Sequence, residues 1–123
     1  VKQNQAHPMT IQELTEEYKY ILKYINSHWP IKDKNQRTFA RTMKLVEELG
    51  EFSDELLTSM NLQRADKMAK FVKSNVEDEF ADVLASVILL ALELNIDIET
   101  VIRKKIAYTR NRFELDKPEQ VDL

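Results

Sequence analysis

A chain of 123 residues, 43% of them hydrophobic and 32% charged, is long enough for one domain with its own core, and residues 1–123 are expected to form one. A net charge of -3 gives no broad basic footprint for nucleic acid, and the absence of cysteine excludes disulfides and thiolate metal sites and suits the cytoplasm. The longest apolar run, Val83 to Leu92, is interrupted by Ser86 and too short to span a bilayer, so no membrane partner is expected. One glycine and three prolines are too few for a fold built on hairpins and tight turns, which points to an all-α protein.

In chain order, Thr10-Ile11-Gln12-Glu13 has the form of a capping box and opens a first helix. Ile11, Leu14, Tyr18, Ile21, Leu22 and Ile25 follow at helical spacing, and Ser27-His28-Trp29-Pro30 ends it, because the residue before proline avoids the helical region. A second helix is expected from about Asn35 to Ser59, with Phe39, Met43, Val46, Leu49, Phe52, Leu56 and Met60 as its core stripe. Residues 61–74 are polar and lysine-rich and read as a short helix or a crossover. A third long helix, about Val76 to Leu94, is apolar on most sides and should be central. Asn95 suits a left-handed stop, and Asp97 can cap a last helix, about Ile98 to Phe113, with Val101, Ile102, Ile106 and Phe113 facing inward. Residues 1–9 and 115–123 read as loose tails. The expected architecture is a four-helix bundle-like domain. One chain of this size can hardly cover the third helix, so a homodimer or a dimer of dimers should complete it.

The acids carry the chemical information. Glu47-Glu48-Leu49-Gly50-Glu51 lies on the second helix and Glu79-Phe80-Ala81-Asp82 on the third. Residues three apart share a helix face, so Glu48 projects with Glu51 and Glu79 with Asp82. Such like-charge pairs repel by roughly a few tenths of a kcal/mol each. Acid clusters on helices are commonly solvated faces, and acids near a helix start complement its dipole. Two pairs beside apolar stripes instead suggest a hard divalent cation, and magnesium takes such oxygen ligands. No His or Cys stands near these acids, which argues against zinc, and neither His7 nor His28 stands three residues after a glutamate, which argues against the di-iron bundle proteins.

In these motifs, Glu47-Glu48-x-x-Glu51, a spacer, and Glu79-x-x-Asp82 followed by Val83-Leu84, the chain resembles the MazG-like, all-α NTP pyrophosphohydrolase superfamily. The resemblance covers about residues 35–113. It implies an enzyme that cleaves a nucleoside triphosphate into monophosphate and pyrophosphate, with Glu48, Glu51, Glu79 and Asp82 holding Mg2+, or Mn2+ as a substitute. It also implies that Glu47 is a further acidic group and that water attacks the α-phosphorus, with Glu47 or Glu55 orienting it. Lys105, Tyr108 and Arg112, at i, i+3 and i+7 on the last helix, would meet phosphate; alternatively they are a basic helix end favoured by its dipole. Trp29 and Phe39 are candidates for stacking on the base, with His28 or Asn35 at its edge, although Trp29 also suits core filling and His28 a plain loop role. Lys44, one turn before Glu48, is expected to pair with it.

Two other readings compete with a broad (d)NTP pyrophosphohydrolase serving house-cleaning or nucleotide-pool control. One is a sibling restricted to dUTP or phosphoribosyl-ATP. The other is a non-enzymatic helical interaction module with no magnesium dependence.

Overall fold

The computed structural model describes residues 7–115, except for the side chains of Lys73 and Ser74. All regular structure among them is helical: α1 (Ile11–His28), α2 (Lys34–Ser59), the short α3 (Ala65–Met68), α4 (Lys73–Glu93) and α5 (Ile98–Arg112). The all-α expectation holds. No helix among the described residues is long and apolar enough to cross a membrane. The outermost parts of the expected tails, residues 1–6 and 116–123, lie outside the described residues.

Local chemistry accounts for the boundaries. The capping box forms: Thr10 Oγ1 accepts the Glu13 amide at 3.1 Å, and the Glu13 carboxylate accepts the Thr10 amide at 3.3 Å. Trp29, extended at φ -86 and ψ 135 before Pro30, closes α1. Asp33 caps α2 through the Gln36 amide at 2.9 Å, one residue earlier than the sequence suggested. The crossover contains the short helix α3 and is fastened to α2, where Asp54 receives Lys67 at 2.8 Å and Gln63 at 2.5 Å. Asn95 adopts φ 55 after α4, and Asp97 caps α5 through the Thr100 amide at 3.0 Å.

The principal packing is α2 against α4, with α1 laid on α4 and α5 resting chiefly on α1. Here the expected core stripe of α2 needs correction. Its more enclosed face carries Arg41, Leu45, Glu48, Phe52, Glu55 and Thr58. Of the expected stripe only Phe52 is on that face, where it meets Phe80 edge-on at 5.9 Å between ring centroids. Phe39, Met43, Val46, Leu49, Leu56 and Met60 are exposed in the single chain. The same holds for Val101, Ile102, Ile106 and Phe113, which were expected to face inward from α5. Among the described residues the buried apolar residues are Ile88 and Ala91, both on α4. The polar character of the α2–α4 interface is the reason: Arg41, Glu48 and Glu55 occupy the inner face of α2 beside Leu45 and Phe52, and the rest of the expected stripe lies outward.

Candidate metal centre and adjoining cavity

Antiparallel packing of α2 and α4 brings the two acidic motifs together. Carboxylate oxygens of Glu48, Glu51 and Glu79 all lie within 4.8 Å of one another. Glu51 is exposed, whereas Glu48 and Glu79 are half-buried. Each of the latter has one oxygen, Oε2, that is fully shielded from solvent and has no hydrogen-bond partner among the described residues. A buried, unpaired carboxylate oxygen is costly and rare in native proteins, so it calls for a partner.

The electrostatics agree. Burial, then the negative charges of Glu51 and Asp82, push the Glu48 carboxyl above its ordinary range, and Lys44 only partly opposes them. Burial, then Glu51, Asp82 and Glu48, raise Glu79 in the same way. Asp82 lies outside the tight group of three but is close enough to act on both. An all-oxygen donor set with two orphaned oxygens fits a hard divalent cation such as magnesium.

Glu48 and Asp82 also line a cavity of about 600 Å³ bounded by α1, α2 and α4. Its opposite end is aromatic: Tyr24 and His28 stack with ring centroids 4.1 Å apart, and Trp29 lies beside them. Lys44 reaches Glu47 at 3.0 Å and, more loosely, Glu48 at 3.9 Å, so the expected pairing is shared between two acids. Glu47 itself is exposed.

The remaining predicted residues lie elsewhere. Phe39 is 66% exposed and does not line the cavity, because it projects from the outer side of α2. Lys105 and Tyr108 are exposed on α5, with the ammonium 5.0 Å from the ring centroid, and the Arg112 guanidinium lies over Phe113. None of the three lines the cavity, since α5 packs chiefly against α1.

A second group of charges was not anticipated. Glu93, 6% exposed, accepts from Arg37 Nε at 2.8 Å, Arg41 Nε at 3.3 Å and Asn26 Nδ2 at 3.4 Å. Arg41, 5% exposed, also donates to Asn26 Oδ1 at 2.5 Å and places its guanidinium 4.9 Å from the Trp29 ring centroid. A signal was present in the sequence, because Glu93 is the lone charge between Val83 and Ile96.

No curated protein and no solved structure gave a match in the comparisons. A family model described as the MazG-like family matches residues 40–122, which includes both acidic motifs and about two thirds of the chain. With its paired acids on α2 and α4 inside that span, the chain belongs to the MazG-like family.

Proposed function

We propose that this protein is a magnesium-dependent nucleoside triphosphate pyrophosphohydrolase, cleaving (d)NTPs to (d)NMPs and pyrophosphate. The observation that carries the reading is the pair of orphaned oxygens on Glu48 and Glu79, acids of two facing helices that gather with Glu51 within 4.8 Å, with Glu48 at the wall of a cavity. Membership of the MazG-like family, whose general activity is nucleotide pyrophosphohydrolysis, supports it.

In this reading Glu48, Glu51, Glu79 and Asp82 hold the divalent cation. When bound, such an ion supplies neutralisation of phosphate charge and Lewis acidity. The bond formed joins a water oxygen to the α-phosphorus; the bond broken links that phosphorus to the oxygen bridging to the β-phosphorus, and pyrophosphate leaves with that oxygen. Glu55, half-buried on the face of α2 that also carries Glu48, takes the water's proton. Glu47 steadies Lys44 at the cavity wall, where the ammonium meets phosphate. Trp29 lines the base end.

The reading includes pairing of two copies. Phe80 is 57% exposed, Val46 59% and Ile106 53%, and a chain with so small a buried apolar core gains from covering such side chains. Lys105, Tyr108 and Arg112 then serve phosphate from a partner's α5. Light scattering is expected to give at least twice the mass of one chain, and Val46→Glu to reduce it. A cysteine-free composition suits the cytoplasm, where house-cleaning or pool control would operate.

The test is incubation with each common NTP and dNTP plus magnesium, with the products resolved. Monophosphate and pyrophosphate are expected. Orthophosphate, or no turnover of any substrate, would overturn the assignment.

A further inference from the structure

The cavity has two chemically different ends, and a network that the proposed chemistry does not use stands at one of them. Asn26 of α1, Arg37 and Arg41 of α2 and Glu93 of α4 form one hydrogen-bonded cluster across three helices. It also grips the α1–α2 connection that carries Trp29: Arg37 Nη1 donates to the Lys32 carbonyl at 2.7 Å, and Lys32 Nζ to the Asn26 carbonyl at 3.4 Å. Arg41 then extends from this cluster over the Trp29 ring at 4.9 Å, and both side chains line the cavity.

Two buried or nearly buried arginines and a buried glutamate are expensive to desolvate, and apolar residues of similar volume commonly serve stability as well or better. What this arrangement adds is a fixed direction. A guanidinium held by Glu93 and Asn26 has little rotational freedom, so the aromatic ring beneath it is held in one plane. Arg41 and Glu48 are seven residues apart on α2, about 10 Å along the helix axis, which is comparable to the reach of a nucleotide from its base to its phosphates.

Resting on the nucleotide reading above, we propose that the buried Glu93–Arg41 pair is a positioning device for the substrate's base, fixing the Trp29 ring as a stacking wall while the phosphates reach the acids. Glu93 and Arg41 act through Trp29. An aromatic base gains from a pre-set ring because little side-chain ordering remains to be done on binding. A bare polyphosphate gains nothing from it.

The test uses that difference. Trp29 is the single tryptophan of the chain, so its fluorescence reports on this wall alone. The full-length protein in magnesium is titrated with the α,β-imido analogues of the common dNTPs and, separately, with inorganic tripolyphosphate, and heat of binding is followed in parallel. The analogues are expected to change Trp29 emission, and tripolyphosphate to bind without doing so. Glu93→Gln and Arg41→Lys, checked for folding by circular dichroism, are expected to weaken analogue binding about tenfold and leave tripolyphosphate binding unchanged. Equal losses for both probes would mark the pair as structural and overturn the proposal, as would no loss for either. Should the variants fail to fold, the wild-type titration decides: turnover to pyrophosphate with a silent Trp29 sinks the positioning role and leaves the enzyme assignment standing. Absence of turnover and of any binding sinks both.

Discussion

The α2–α4 interface buries charge at two places and treats it in opposite ways. Around Glu93, two arginines and an asparagine surround one carboxylate, and every contact has the favourable sign. Around Glu48 and Glu79, further carboxylates gather, and two buried oxygens have no partner. Burying a charge costs several kcal/mol, on the order of what a whole domain can spare, unless it is compensated. The first cluster is compensated from within the chain. The second is short of positive charge, and that shortage sets it apart from the structural ion pair and is what the proposed cation would relieve.

Substitutions should therefore have opposite signatures at the two clusters. The largest effect is expected for Glu48→Ala or Asp82→Ala, each lowering turnover by more than about a hundredfold, beyond the usual loss for groups that merely support a metal ligand. Without divalent ions, Glu48→Ala should unfold no earlier than wild type on heating, since it removes a repelled carboxylate. If either variant retains activity, the ligand assignment is wrong. Glu93→Ala should behave in reverse, costing about 3–5 kcal/mol in denaturant unfolding because it strands Arg41 in the interior. A loss below about 1 kcal/mol would show that the network contributes little.

The pH dependence separates the clusters again. Burial raises the Glu93 carboxyl, but hydrogen bonds from Arg37, Asn26 and Arg41 outweigh it, and the net result is a lowered pKa. Its contribution to stability is therefore present above the ordinary carboxylate range and is lost as pH falls through the lowered value. Glu48 and Glu79 are raised, so their contribution is present when they are protonated and is lost as pH rises through the raised values. In EDTA, melting temperature should rise on mild acidification from neutrality and fall on stronger acidification. The double variant Glu48→Gln/Glu79→Gln should lose the first arm and keep the second. The smallest effect expected is from Gly50→Ala between the acids: a methyl there meets nothing within 4 Å, and helix propensity should add about 1 kcal/mol of stability.

Chain punctuation was the most legible part of the fold. Thr10 with Glu13, Pro30, Asn95 and Asp97 act through local backbone chemistry, and each boundary they mark lies within a residue or so of the observed one. The facing of α2 was not legible. Hydrophobic periodicity singled out Met43, Val46 and Leu49, yet these are open to solvent in the single chain, because Arg41, Glu48 and Glu55 take the inner face. Periodicity reports which side chains disfavour water and is silent on what covers them. The meeting of Glu48, Glu51 and Glu79 could be anticipated from spacing, which puts each acidic pair on one helix face, together with the family resemblance, which implies that the two pairs share an ion. Glu93, alone in an apolar run, was the one legible sign of the second cluster, whereas Arg37 and Arg41 look in sequence like the surface charges found throughout the chain.

In the proposed function a divalent cation completes the Glu48–Glu51–Glu79 cluster. The most direct measurement is thermal unfolding of wild type and of Glu48→Gln/Glu79→Gln across a magnesium titration, with sodium chloride matching the ionic strength. A saturable rise in melting temperature with magnesium, absent in sodium chloride and absent in the double variant, is the expected result. Equal responses to magnesium and sodium chloride, or a magnesium response that survives in the double variant, would contradict the account.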